Sequence, residues 1–143
     1  MLGSLLERAE TKPLVTLVKE LLIDPLGIKD TTWWVAPNNM GRLAESLDSD
    51  GQKAGMLKSY RQSYDPSGKS YFKGGAGLLG TASDYLRFAQ MILNGGELDG
   101  RRYLSRKTVE FMLSQHTIGM GGSTIGTTGP GYGFGLGFGV RLD

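Results

Sequence analysis

Cysteine is missing altogether, which excludes disulfides and thiolate metal sites and leaves the redox compartment open. Histidine is represented by His116 alone, too little for a histidine-rich metal centre; it is expected as a partly exposed residue near a helix end. A long apolar run is also missing. The most apolar stretch, Leu14–Leu26, is interrupted by Lys19, Glu20 and Asp24, so no membrane span is expected. The first residues lack the basic start, apolar centre and small-residue cleavage site of a signal peptide, which leaves localisation unknown. Charge of one sign is scarce too. The 16 basic and 14 acidic residues are interspersed and leave a net +2, so neither nucleic acid nor an anionic membrane surface is an expected partner. There is no Gly-x-Ser-x-Gly elbow and no Walker loop.

What is present suits a globular domain. The chain has 143 residues, 39% of them apolar and 21% charged, enough for one core. Glycine is the outlier, with 23 residues where average usage would give roughly 10. Met1–Ala9 reads as a helix with Leu2, Leu5 and Leu6 on one face, and its lack of a capping residue suggests a chain entered mid-element. Pro13 suits the first turn of a second helix, where Leu14, Leu17, Val18, Leu21 and Leu22 form an apolar stripe that Pro25 and Gly27 end. From Thr31 to Lys73 no long period is visible. Its aromatics argue for an ordered, loop-rich excursion with short strands. Gly74–Gly80 is a tight, backbone-dominated segment. Thr81 and Asp84 resemble a capping box, opening a helix whose buried stripe is expected to be Tyr85, Phe88, Ala89, Ile92 and Leu93. Asn94-Gly95-Gly96 ends that helix, Leu98–Arg101 forms a tight turn, and Ser105 caps a further helix with Val109, Met112 and Leu113 inward. Between Gly119 and Gly139 lie ten glycines in 21 positions. Tyr132, Phe134, Leu136, Phe138 and Val140 alternate with the later ones, which predicts one strand with an aromatic face and a glycine face open to close approach.

Two short patterns suggest chemistry but carry little weight. Ser70-x-x-Lys73 fits the acyl-enzyme signature in which lysine activates serine. That chemistry needs a helix start, which Gly74 and Gly75 oppose, and about 0.6 such matches arise by chance at this composition. Gly75-x-Gly77-x-x-Gly80 matches the dinucleotide fingerprint without the βαβ unit it requires, so a structural turn is expected. The aspartates at 48, 50, 65, 84 and 99 sit in turn or cap contexts.

Three longer stretches carry more. Asp24-Pro25-Leu26-Gly27-Ile28-Lys29-Asp30-Thr31, Gly74-Gly75-Ala76-Gly77-Leu78-Leu79-Gly80-Thr81-Ala82-Ser83-Asp84, and Phe88–Leu104 with its Leu93-Asn94-Gly95-Gly96 and Leu98-Asp99-Gly100-Arg101 steps follow one another in a set order. Together they resemble the β-lactamase-related serine hydrolases, which include class C β-lactamases, D-alanyl-D-alanine peptidases and family VIII esterases. The resemblance implies an α/β (α+β) fold, an antiparallel sheet flanked by helices, of which this chain supplies helices and one or two strands. It also implies a parent reaction of acyl transfer through a serine ester, on a β-lactam, a D-Ala-D-Ala peptide or a short ester, without cofactor. The family's Ser-x-x-Lys, Tyr-x-Asn and Lys-Thr-Gly or His-x-Gly motifs have no counterpart here in family position: Ser70-x-x-Lys73 falls at the wrong place in the order. No catalytic residue carries over, and no metal ligand. Gly74, Gly75, Ala76 and Gly77 carry over as lining of the substrate pocket. Ala76 stands where class C enzymes hold an aromatic ring, which resembles the esterase and peptidase-like branches more.

The expected organisation is a single partial domain over 1–143: a helical pair (1–30), a loop-rich excursion (31–73), the glycine turn with two helices (74–115), and a glycine-rich segment with a strand (116–143). The expected function is that of a catalytically silent fragment or truncated homologue. The alternatives are a stand-alone binding or assembly module and, least favoured, an enzyme built on Ser70 and Lys73. An unpaired strand edge and an uncovered apolar face favour a homo-oligomer.

Overall fold

The computed structural model describes residues 2–44, 47, 49–50, 75, 77–117 and 131–142. It divides into two compact units, Met1–Tyr85 and Leu86–Asp143. The division falls inside one helix.

In the first unit, α1 covers Leu2–Glu10 and breaks at Thr11, whose φ is 52°. α2 covers Leu14–Val18, with Pro13 just outside it in extended conformation rather than within its first turn. The Glu7 carboxylate accepts from the Leu14 N–H at 2.8 Å, so α1 supplies a partner for one of the amides orphaned at the start of α2. Leu14 and Leu17 are buried as expected, but Leu21 is 70% exposed. The cause is a π-turn at Lys19–Ile23, closed by the Asp24 N–H donating to the Lys19 carbonyl. Its wider i→i+5 closure rotates every later residue off the α-helical stripe. Leu26, fully buried, takes up the core position beyond it. The Leu2, Leu5 and Leu6 face of α1 points to solvent, these residues being 78%, 59% and 51% exposed.

Beyond the turn, Thr32 forms a single antiparallel bridge with Leu79 (N···O 2.8 and 2.7 Å). A 3₁₀ turn follows at Pro37–Arg42. The remainder of the expected excursion, residues 51–73, lies outside the described residues.

Helix α3, Ala82–Leu93, starts one residue after Thr81, where the sequence places it. Its buried side agrees with the expected one only in part, Ile92 being buried and Phe88 and Ala89 half-buried. Tyr85 and Leu93 are 69% and 80% exposed, whereas Asp84, Met91 and Ile92 are buried with Phe88 half-buried. The inward stripe is therefore 84, 88, 91 and 92, displaced by one residue from an apolar-only reading. A polar group, Asp84, is among the buried residues of this helix.

In the second unit α3 ends in a Schellman motif, with the Gly96 N–H donating to Met91 and the Gly95 N–H to Ile92. A two-residue hairpin follows, β1 (Glu97–Leu98) pairing with β2 (Arg101–Arg102). Its central residues Asp99 and Gly100 both have positive φ, the type I′ geometry that matches strand twist. Ser105 caps α4 (Arg106–Leu113), its hydroxyl accepting from the Thr108 N–H at 3.0 Å. Met91, Ile92, Leu98 and Val109 form the core, while Leu113, expected inside, is 38% exposed.

The single strand expected near the end is instead a hairpin. β3 (Tyr132–Phe134) pairs antiparallel with β4 (Gly139–Arg141), in register Gly133↔Val140. Glycines at 135 and 137 allow the chain to reverse where alternation alone reads as continuing. The close approach expected of the glycine side is present: a Cβ on Gly133 would overlap the Gln115 amide, and one on Gly135 the Met112 carbonyl.

Gly96 is the most constrained of the helix-ending residues, since its φ is +94° and an added Cβ would overlap the Leu104 carbonyl. Gly96→Ala is expected to cost about 2–4 kcal/mol. Gly100→Ala, with positive φ but open space, should cost only about 1–2 kcal/mol. Urea denaturation of both variants checks the difference.

Candidate functional site

Asp84 is the centre of the most connected polar cluster among the described residues. It stands at the third position of α3 and is only 5% exposed. Its own N–H donates to the Thr81 hydroxyl at 3.3 Å, one half of a capping box. The other half is not made. Aspartate is one methylene shorter than the usual glutamate, and its carboxylate turns away from the Thr81 amide. It accepts from the Lys29 N–H (3.2 Å), the Asp30 N–H (2.7 Å) and the Thr31 hydroxyl (3.0 Å). Asp30 in turn holds both guanidinium arms of Arg42 at 2.9 and 2.7 Å. The Thr32–Leu79 bridge completes the fastening. A Cβ on Gly80 would come within 2.7 Å of the Thr31 hydroxyl, so glycine is required for that closeness.

The electrostatics follow from these contacts. Burial acts on the Asp84 carboxyl most strongly and favours its neutral form, but the bonds from Lys29, Asp30 and Thr31 together outweigh it and hold the group below its ordinary value of 3.8. Asp30 is held low first by its hydrogen bond from Arg42, and Arg42 is raised by the same contact.

Beside this cluster lies a groove of about 290 Å³ between the Lys29–Ala36 segment, the 3₁₀ turn and Leu79–Thr81. Trp34, Val35, Leu43 and Leu79 give it apolar walls, and Asn39, Arg42 and Thr81 polar ones. None of its described lining residues is serine, cysteine or histidine; its hydroxyl groups are those of Thr31, Thr32 and Thr81, of which Thr31 and Thr81 are engaged with Asp84. A serine–histidine contact does occur elsewhere, Ser114 Oγ···His116 Nε2 at 3.3 Å. Both atoms also face the Phe111 carbonyl, each at 2.8 Å. A ring nitrogen that near a carbonyl carries the proton and donates, and therefore cannot serve as the base for Ser114. His116 is a helix-end residue stacked edge-on against Phe111, as expected of it.

Of the residues assigned to the pocket by resemblance, Gly75 and Gly77 are described and neither lines this groove, while Gly74 and Ala76 lie outside the described residues. So do Ser70 and Lys73. No cluster of three or more His, Asp or Glu side chains that could hold a metal ion occurs among the described residues. No described helix is long and apolar enough to cross a membrane. The sequence reading found Asp84 as a cap but missed its long-range partners. The available signal was that both partner segments fall in stretches carrying the family resemblance.

The profile of the β-lactamase family matches residues 1–141, and the chain belongs to that family. An uncharacterized protein of Mycobacterium tuberculosis is 34% identical over 118 residues, covering 78% of this chain and 28% of its own. Esterase EstB of Burkholderia gladioli is 28% identical over 151 residues, covering 94% of this chain and 36% of its own. Among solved structures, EstCE1, described as a hydrolase with promiscuous acyltransferase activity, superposes with a TM-score of 0.72 at 26% identity, over 99% of this chain and 39% of that one. A penicillin-binding protein homologue from Pyrococcus abyssi shares the fold at a TM-score of 0.63 and 18% identity, covering 96% of this chain and 27% of its own. The chain thus spans between about a quarter and two fifths of the length of these relatives. The partial α/β β-lactamase-like fold expected from the sequence is the one found.

Asp84→Ala should remove the acceptor of two backbone amides and cost about 2–4 kcal/mol, with Asp84→Asn losing roughly half as much. A carboxyl held below its unfolded value stabilises fully above that value and loses the contribution as pH falls through the lower folded one. Wild-type stability should therefore drop below about pH 4, and Asp84→Asn should show a shallower acid limb in urea titrations.

Proposed function

We propose that this chain is a scaffold portion of a serine β-lactamase- or esterase-like hydrolase, and that by itself it is catalytically silent. The observation that carries the reading is the family match over residues 1–141 together with the position of the only Ser-x-x-Lys pattern. In sequence order, Ser70 and Lys73 fall between the two segments that Asp84 ties together and just before Gly74, whereas the family's Ser-x-x-Lys precedes both segments. In the family arrangement, the nucleophile would be presented to a wall that this chain supplies. By the family resemblance, Gly74, Gly75, Ala76 and Gly77 are the positions assigned to that wall. Alanine at position 76, where class C enzymes hold an aromatic ring, and the likeness to an esterase and to a hydrolase with acyltransferase activity favour a short ester or acyl-transfer substrate for the parent reaction. The four segments 1–30, 31–73, 74–115 and 116–143 then belong to one partial domain.

The exposed apolar residues Leu2, Leu5 and Leu6 on α1 and Tyr85, Leu86 and Leu93 on α3 favour a second role, self-association into a homo-oligomer.

Two measurements test these readings. Neither a chromogenic cephalosporin nor p-nitrophenyl butyrate should be hydrolysed above the buffer rate. Turnover that vanishes in Ser70→Ala would overturn the silent-scaffold reading. In sedimentation equilibrium at micromolar concentration, species heavier than the 15.4 kDa chain are expected, and a clean monomer would remove the second role.

A further inference from the structure

Asn94-Gly95 is the one Asn-Gly step in the sequence, and it sits at the end of α3 in an unusual chemical setting. Asn94 is exposed. Its side-chain carbonyl accepts from the Gln90 Nε2 at 2.8 Å, one helical turn back. Gly95 follows with φ +67° and no side chain to shield its backbone nitrogen. These are the elements of spontaneous deamidation: a carbonyl polarised by a donor, an unhindered amide nitrogen next to it in the chain, and access for water. One restraint opposes the reaction. The Gly95 N–H is committed to the Ile92 carbonyl at 2.9 Å and must be released before its nitrogen can attack.

We propose that Asn94 is a site of spontaneous deamidation, gated by opening of the Schellman motif that ends α3. Once released and deprotonated, the Gly95 nitrogen attacks Asn94 Cγ, forming a C–N bond while charge builds on Oδ1, where Gln90 stabilises it. The Cγ–NH₂ bond then breaks and ammonia leaves, closing a five-membered imide. Water opens the imide at either carbonyl. Cleavage at Cγ restores the backbone and leaves aspartate. Cleavage at the α-carbonyl leaves isoaspartate, with the chain running through the side chain and lengthened by the Cβ methylene. The net change is an amide plus water giving a carboxylic acid plus ammonia.

The product has a structural consequence. Gly96, two residues on, is closed against Leu104 without room for a single added carbon, and its carbonyl accepts from both Tyr103 (2.8 Å) and Leu104 (3.2 Å). An extra backbone atom at 94 displaces Gly96 from that fit and opens the base of the β1–β2 hairpin. The aspartyl product leaves the path of the chain intact and adds only a negative charge at the C-terminal end of α3, where the helix dipole disfavours it.

The test is ageing of the full chain at neutral pH, in buffer and in concentrated urea, followed by mass analysis of the tryptic peptide Phe88–Arg101. A gain of about one dalton located at Asn94, with isoaspartate present, is expected in both conditions, and about tenfold more slowly in buffer because the cap must first open. No gain in buffer overturns the site, and equal rates in buffer and urea overturn the gating. Asn94→Gln should abolish the gain in this peptide, and Gln90→Leu should slow it in buffer but not in urea. The aged isoaspartyl protein should unfold at lower urea than Asn94→Asp, which carries the charge alone. Equal midpoints would sink the claimed loss of the hairpin closure.

Discussion

The carboxylate of Asp84 holds together two stretches of chain more than fifty residues apart, and the architecture of the first unit follows from that contact. The amides of Lys29 and Asp30, in irregular chain, and the amide of Asp84, in the first turn of α3, all lack a partner in regular structure. Asp84 takes part at both places: its own amide donates to the Thr81 hydroxyl, and its carboxylate oxygens accept from Lys29, Asp30 and Thr31. A neutral side chain could not do the same, because bonds to a charged acceptor are about twice as strong and repay the desolvation of the group. The Thr32–Leu79 bridge, the closeness of Gly80 to Thr31 and the Asp30–Arg42 pair are all arranged around it.

That contact also explains where local reading of the sequence succeeds and fails. Signals confined to a few neighbouring residues were legible. Ser105 caps α4, Asn94-Gly95-Gly96 closes α3, and Asp99-Gly100 turns the first hairpin, each decided by backbone chemistry within a turn of itself. Phase was not legible. A stripe drawn from apolar residues alone puts Tyr85 and Leu93 inside, whereas both are exposed and the polar Asp84 is buried; its partners at 29–31 are invisible to any local window. The stripe of α2 fails for a related reason, since a π-turn changes the period from within and no proline or glycine announces it. Leu21 is the residue that pays for that shift in exposure.

The candidate site was legible in a different way. Composition and spacing alone point to no chemistry, and the short Ser-x-x-Lys and glycine patterns are too brief to identify one. The order of three longer stretches identified the family, because order over most of a chain is far harder to obtain by chance than four positions. What that order could not supply was the side-chain wiring between the stretches, which is a matter of three-dimensional approach rather than sequence distance.

The same separation of backbone from side chain bears on how the molecule meets a partner. The sequence suggested two routes to association, an unpaired strand edge and an uncovered apolar face. In the structure the edge of β3 is partly occupied. The Phe134 N–H is taken by the Gln115 side-chain carbonyl at 2.8 Å and the Thr117 hydroxyl at 3.1 Å, and the Phe134 carbonyl by the His116 N–H at 2.9 Å. Gln115 can reach this edge because Gly133 beside it has no side chain. A strand that has already given its outward amide and carbonyl to its own chain is a poor template for another strand. The apolar residues of α1 and α3 have no such cover within their units, each of the six being more than half exposed. The absence of a side chain at Gly133 thus lets the chain's own Gln115 occupy a strand edge that would otherwise stand open at Phe134.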